Sequence, residues 1–287
     1  MASQSKALPY PWYSIETVNI FRDKKRRRQD FIMNNLFDLK GKWALVTGGS
    51  RGIGKAIALG LAHARANIVI SATNEEKLKM VAAEIESLGS KVIVKVCDMA
   101  DPNAIWNLFQ DLDGEINSLD ILVNNAGIIR RFMPAEEFPV KYWDDVIQVN
   151  LKGLFIACQQ FAKRIINQRG KGKIINITSV LGLTGGIAVP SYAASKGGVI
   201  QLTKALANEW ASKGINVNAI APGYFQTELT EELQNDPSRN NGILSRIPAG
   251  RWGKAEDIQG AAIFLASSAS DYVNGHVLTV DGGWMAR

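Results

Sequence analysis

The stretch Trp43-Ala44-Leu45-Val46-Thr47-Gly48-Gly49-Ser50-Arg51-Gly52-Ile53-Gly54 decides the fold. An apolar run from Trp43 to Thr47 enters a glycine-rich loop, and a helical pattern opens directly behind it. A run that is apolar without alternation marks a strand covered on both faces, and hence a parallel sheet between helices. Glycines at the strand exit permit a tight turn and let backbone N–H groups approach a pyrophosphate, whose charge the next helix N-terminus favours. Read alone, the loop is equally an ordinary glycine-rich turn. Its place after the first buried strand makes Gly48, Ser50, Arg51, Gly52, Ile53 and Gly54 candidates for binding a dinucleotide.

The same pattern recurs along the chain. Further strands are expected at Ile68 to Ser71, Val92 to Val96, Ile121 to Val123, Ile174 to Ile177, Val217 to Ile220 and Val277 to Val280. Gly54 to Ala64, Glu75 to Leu88 and Lys196 to Lys213 are long enough for crossover helices. The expected fold class is α/β: a doubly wound, Rossmann-like, seven-stranded parallel sheet with helices on both faces, in a single domain over residues 33–287. Residues 226–253, polar and carrying Pro237, Gly242, Pro248 and Gly250, break the alternation and read as a lid-like segment.

Composition narrows the classes. With 46% hydrophobic and 21% charged residues the chain is neither disordered nor fibrous. No window approaches the roughly 18 to 20 apolar residues of a membrane span, so no membrane partner is expected. Cys97 and Cys158 cannot build a disulfide framework, and His63 and His276 stand in no metal-ligand spacing, so no metal is expected and a reducing, cytoplasmic setting is the simplest reading. Most of the +6 net charge lies in residues 1–32, where seven Lys and Arg face three Asp and Glu. No aromatic-interleaved basic groove follows and no secretory h-region is present, so residues 1–32 are read as a basic, flexible N-terminal extension, with no nucleic-acid partner.

The end of the second strand bears on the cofactor. In a dinucleotide fold an acid about 20 residues past the glycines holds the ribose 2′-hydroxyl. Here the strand ends Ser71-Ala72-Thr73-Asn74, and Glu75 and Glu76 read as the opening of the next helix. Arg51 supplies a cation suited to a 2′-phosphate, unless it is a solvent-facing loop arginine. NADP(H) is therefore expected over NAD(H).

Tyr192 and Lys196, four positions apart, share one face if their stretch is helical. A fixed cation near a phenol favours the phenolate and brings its pKa towards working pH. Ser179 follows the fifth strand and is placed to hydrogen-bond a reacting carbonyl oxygen.

Together with Asp98 and Met99 after the third strand, Asn124-Asn125-Ala126-Gly127 after the fourth, Asn150 in Val149-Asn150-Leu151, and Pro222-Gly223, these residues resemble the short-chain dehydrogenase/reductase family from about Leu36 to Arg287. The resemblance implies a catalytic tetrad of Ser179, Tyr192, Lys196 and Asn150. It places Thr73, Asn74, Asp98, Met99, Asn124, Ala126 and Gly127 on the adenosine side of the cofactor, and Pro222, Gly223 and Thr227, with Tyr192 and Lys196, on the nicotinamide side. It also implies a homotetramer, with Trp284 and Met285 buried either in the subunit or against a neighbour.

Within that family the sequence looks most like the branch acting on sugar acids. Asn125 to Arg131, Gly185 to Ser191, Ile247 to Gly253 and the tail Asp281 to Arg287 carry this likeness. Arg130 and Arg131 suit a bidentate hold on a substrate carboxylate, with Ser179 and Tyr192 on the reacting oxygen; surface loop arginines are the plainer reading of the pair. Ser50-Arg51 and Ala72-Thr73 look more like 3-oxoacyl-carrier-protein reductases, which keeps that activity as an alternative. A non-catalytic NAD(P)-sensing regulator is the remaining one.

Overall fold

A computed structural model describes residues 36–130 and 132–287. The basic extension assigned to residues 1–32 and the candidate Arg131 lie outside the described residues.

The elements in chain order are β1 (Trp43–Thr47), α1 (Gly52–His63), β2 (Asn67–Ala72), α2 (Glu75–Ser87), β3 (Val92–Val96), α3 (Pro102–Glu115), β4 (Ile121–Asn124), α4 (Val140–Ile147), α5 (Leu154–Asn167), β5 (Gly172–Ile177), α6 (Leu181–Thr184), α7 (Pro190–Trp210), β6 (Ile215–Pro222), α8 (Glu231–Asn235), α9 (Pro237–Leu244), α10 (Gln259–Ala266) and β7 (Val277–Val280). All seven strands run parallel in the order β3-β2-β1-β4-β5-β6-β7, as the apolar runs predict. The chain winds from β1 outward to β3, then crosses back to β4 on the other side of β1. The loops leaving β1 and β4 therefore diverge and open a crevice at the carboxyl ends of the strands.

Why the strands read as unbroken apolar runs is visible in their burial. Ala44 and Val46 of β1, Ile68 and Ile70 of β2, and Ile121 and Val123 of β4 pack with Ile57, Leu61, Ile85 and Leu265 on one face. Leu45, Val69 and Leu122 pack with Leu112, Phe161, Val199 and Leu206 on the other. Each strand thus feeds two cores, which demands apolar side chains at both parities.

The helix expected from Lys196 begins at Pro190 instead, so α7 carries Tyr192 as well as Lys196. Proline at the first helical position has a suitable φ and forfeits no needed N–H. Between α4 and α5 the helix widens into a π-turn, Gln148–Gly153, of the kind often found at functional sites. Gly153 there packs against the β3 exit, where an added Cβ would stand 2.2 Å from the Met99 carbonyl oxygen.

Gly153→Ala should therefore cost about 1–3 kcal/mol or more of stability. Gly114→Ala, at an exposed turn of α3 with nothing within 4 Å of the new methyl, should be neutral or gain about 0.5 kcal/mol. Chemical denaturation of both variants checks the contrast; equal effects would mean that the contact at Met99 imposes no constraint.

Candidate active site

The crevice forms a cleft of about 340 Å³ running from the glycine loop to Ser179, Tyr192 and Lys196. Its rim is built by a cross-loop clamp. Thr47 Oγ1 accepts from the backbone N–H groups of Asn125 (3.0 Å) and Ala126 (3.1 Å), while Asn125 Nδ2 donates to the carbonyls of Thr47 (3.0 Å) and Gly48 (3.1 Å). Gly48 takes φ +66°, and an added Cβ on Gly54 would lie 2.2 Å from the Gly48 oxygen, so the loop closes onto α1 only with glycine at both positions.

The helices that follow the first three strands differ at their N-termini. Asn74 caps α2 by accepting from Lys77 N (2.8 Å), and Asp101 caps α3 by accepting from Asn103 N (2.8 Å). Arg51 at the head of α1 gives no side-chain cap, and Gly52, Ile53 and Gly54 line the cleft. An uncapped, positively polarised helix end behind a glycine cradle fits a pyrophosphate.

Gly48, Ser50, Arg51, Gly52, Ile53, Gly54, Thr73, Asp98, Met99, Ala126, Gly127, Ser179, Tyr192, Lys196, Pro222, Gly223 and Thr227 all line this one cleft. Four of the expected residues stand elsewhere. Asn74 is committed to the α2 cap. Asn124 is 2% exposed, its amide donating to Asn176 Oδ1 (2.9 Å) and Cys158 Sγ (3.2 Å), so the wall position belongs to its neighbour Asn125. Arg130 Nη2 donates to Asp145 Oδ2 (2.7 Å), and its guanidinium stacks on Tyr142 away from the cleft. Asn150 is fully buried behind the cleft, in the π-turn.

From there Asn150 ties the β4 exit loop to α7. Its Oδ1 accepts from Ile128 N (2.8 Å), and its Nδ2 donates to Ile128 O (2.9 Å) and Ser195 Oγ (3.1 Å). An added Cβ on Gly127 would meet Asn150 Oδ1 at 3.3 Å and Lys196 Nζ at 3.5 Å, so both polar ends converge on that glycine.

Lys196 is buried, and its Nζ donates to the carbonyl of Ile177 at the end of β5 (2.8 Å); Thr178 Oγ1 fixes the helix by donating to Lys196 O (2.7 Å). Burial pulls the Lys196 ammonium down to about 8. The Nζ lies 5.7 Å from the Tyr192 ring centre. Burial also pushes the Tyr192 hydroxyl up, against a hydrogen bond from Ser179 that favours the phenolate. Burial therefore raises the Tyr192 hydroxyl, and Ser179 is the neighbour that opposes the rise. Ser179 Oγ is itself oriented by accepting from Leu181 N (3.2 Å).

The start of the segment read as lid-like, and Phe225 just before it, add wall residues that the sequence does not single out one by one. Phe225, Glu228, Leu229 and Thr230 line the cleft. Thr230 Oγ1 donates to Phe225 O (2.6 Å), and Phe225 bridges to Gly253. Trp284 is 6% exposed and packs within the subunit on Tyr224, 4.6 Å between ring centres, under the Arg246 guanidinium. Asn125 was legible from its doublet with Asn124; Glu228 carried no local signal.

A family model described as "Enoyl-(Acyl carrier protein) reductase" matches residues 48–285. The chain is 50% identical over 253 residues to 2-dehydro-3-deoxy-D-gluconate 5-dehydrogenase of Dickeya dadantii, covering 88% of this chain and 99% of that one. A solved Agrobacterium tumefaciens chain with bound NADP is 53% identical, with a TM-score of 0.83 over 88% of this chain and 100% of the other. Gluconate 5-dehydrogenase from Burkholderia cenocepacia, in complex with NADP and tartrate, is 43% identical, with a TM-score of 0.85 over 89% and 99%. With its all-parallel sheet and the glycine loop, serine, tyrosine and lysine gathered in one cleft, the chain belongs to the short-chain dehydrogenase/reductase family of NAD(P)-dependent oxidoreductases.

Proposed function

We propose that the protein is a sugar-acid oxidoreductase of the 2-dehydro-3-deoxy-D-gluconate 5-dehydrogenase or gluconate 5-dehydrogenase type, using NADP(H) in preference to NAD(H). The observation that carries the reading is the single cleft joining the uncapped α1 N-terminus to Ser179, Tyr192 and Lys196. The names of the relatives supply the substrate class.

The glycine loop and α1 hold the pyrophosphate; Asp98, Met99, Ala126 and Gly127 flank the adenosine side, and Pro222, Gly223 and Thr227 the nicotinamide side. A nicotinamide cofactor held there would supply the hydride acceptor or donor for a carbinol or keto carbon. Ser179 holds the substrate oxygen and Tyr192 takes or gives its proton. Lys196 holds the nicotinamide ribose and supplies the nearby charge, and Asn150 fixes α7 against the β4 loop for proton relay. Arg130 is already committed to Asp145, so hold of the substrate carboxylate falls to Arg131 by its sequence position.

Preference for NADP(H) is supported by Arg51 in the cleft wall and by the absence of an acid at the end of β2, where Glu75 and Glu76 open α2. Residues 226–253 are the proposed lid. A homotetramer is proposed on the family resemblance, with the helix carrying Tyr192 and the C-terminal segment at the interfaces. Among the described residues no helix is long and apolar enough to cross a membrane, and the two buried free thiols support the cytoplasmic reading.

Initial rates with NADPH and NADH on 5-keto-D-gluconate, 2,5-diketo-3-deoxygluconate and a short 3-oxoacyl thioester test the proposal. Turnover of a keto acid is expected, and turnover of the thioester alone would move the protein to the acyl reductases. Tyr192→Phe should lower kcat by about 10²- to 10⁴-fold while leaving the NADPH Kd unchanged; near-normal turnover would remove Tyr192 from the chemistry. Arg51→Ala should raise the NADPH Kd by about tenfold or more and leave NADH binding nearly unaltered; equal losses would remove the 2′-phosphate role.

Lys196 allows a test free of substrate. Its folded-state pKa of about 8 lies below its ordinary 10.5, so the folded protein pays for a buried ammonium at every pH below 8. That penalty fades as pH rises from 8 to 10.5. Lys196→Met should therefore abolish turnover yet stabilise the fold by about 2 kcal/mol at pH 7. The gain should shrink steadily between pH 8 and 10.5, as followed by thermal unfolding against wild type. A variant less stable than wild type at pH 7 would show that the hydrogen bond to Ile177 outweighs the desolvation.

A further inference from the structure

The lid brings its own acid to the cation of the glycine loop. Glu228, in the turn directly after Thr227, forms an ion pair with Arg51, and the same carboxylate oxygen lies 3.5 Å from Lys77 Nζ in the first turn of α2. Three segments distant in sequence, the glycine loop, the head of α2 and the root of the lid, thus meet at one carboxylate. Ala72 and Thr73 at the end of β2 line the same wall as Arg51 and Glu228. In dinucleotide folds that strand end is where the adenosine 2′ position is read.

The carboxylate is presented by an ordered turn. Thr227 N donates to Thr230 Oγ1 (3.2 Å), and Thr230 Oγ1 donates onward to Phe225 O (2.6 Å). Arg51, with Lys77 beside it, holds the Glu228 carboxyl below the ordinary carboxylate range. All three side chains are nonetheless about half exposed, at 59%, 45% and 51% for Arg51, Lys77 and Glu228. Ion pairs so open to water are weak. A phosphate monoester, with nearly twice the charge and three acceptor oxygens, competes well for the same two cations.

We infer that Arg51 and Lys77 together form the 2′-phosphate site and that Glu228 is its built-in competitor, displaced by a phosphorylated cofactor and left in place by an unphosphorylated one. Glu228 is in this sense a specificity-determining residue: it narrows the preference for NADP(H) that Arg51 alone would create. It takes the place of the acid missing from the end of β2, supplied from the lid. The inference rests on the NADP(H) reading above.

Fluorescence titration of the full-length protein with NADPH and with NADH tests it. Glu228→Gln is expected to lower the NADPH Kd about three- to tenfold and to leave the NADH Kd unchanged or raised. Lys77→Ala is expected to weaken NADPH selectively, as Arg51→Ala does. Glu231→Gln removes the same charge from an exposed residue of the lid that makes no ion pair with Arg51 or Lys77, and is expected to change neither constant. Equal shifts for both cofactors in Glu228→Gln, or a match between Glu231→Gln and Glu228→Gln, would overturn the inference. If Arg51→Ala proves selective and Glu228→Gln does not, only the competitor role falls; if Arg51→Ala is itself unselective, the NADP(H) reading falls with it.

Discussion

The clamp between Thr47 and Asn125 is the constraint on which the site depends. A doubly wound sheet opens its crevice because the chains leaving β1 and β4 part company there, and two diverging loops have no reason to keep a fixed separation. Four hydrogen bonds between Thr47, Gly48, Asn125 and Ala126 hold them at one distance. The clamp consumes the Thr47 and Gly48 carbonyls, which fixes the entry to the glycine loop from the side chain of Asn125. Asn150 repeats the device one layer deeper. It accepts and donates at Ile128 and reaches Ser195, so the β4 loop is tied on one side to the cofactor turn and on the other to the helix carrying Tyr192 and Lys196.

What this rigidity serves is an arrangement that is unfavourable in isolation. Lys196 is buried with one carbonyl partner, and Tyr192 lies where burial opposes its ionisation. Desolvation is the largest influence on both, lowering the lysine and raising the tyrosine. Such a site persists only where the surrounding packing over-determines it. The π-turn at Gln148–Gly153, the close approach of Gly153 to Met99 and the convergence of Asn150 and Lys196 on Gly127 are that packing.

Sequence periodicity made the sheet legible because a strand that feeds two cores is apolar at every position, a signal contained within the strand itself. The glycine loop was legible for the same reason: its conformation and its function are both local. Local sequence is silent where partners distant in the chain decide the outcome. Asn124 and Asn125 are adjacent and alike, and only the strand register turns one towards Asn176 and the other towards Thr47. Arg130 reads as a substrate cation until Asp145 is brought beside it by α4. The simple pairing of Tyr192 with Lys196 on one helix face was right in spacing and incomplete in energetics, since spacing says nothing of burial.

The segment after β6 packs against the C-terminus. Gly223 leaves β6 against β7, and an added Cβ would lie 2.7 Å from Asp281 Cα. Asp281 in turn accepts from Gly283 N (2.9 Å) and Met285 N (2.8 Å), which sets Trp284 down on Tyr224. Tyr224 stacks edge-on against Trp252, and Trp252 Nε1 donates to Asn240 of α9 (2.8 Å). The later part of the segment 226–253 is therefore anchored through an aromatic cluster to the last residues of the chain, whereas its first turn reaches Arg51 through the exposed carboxylate of Glu228.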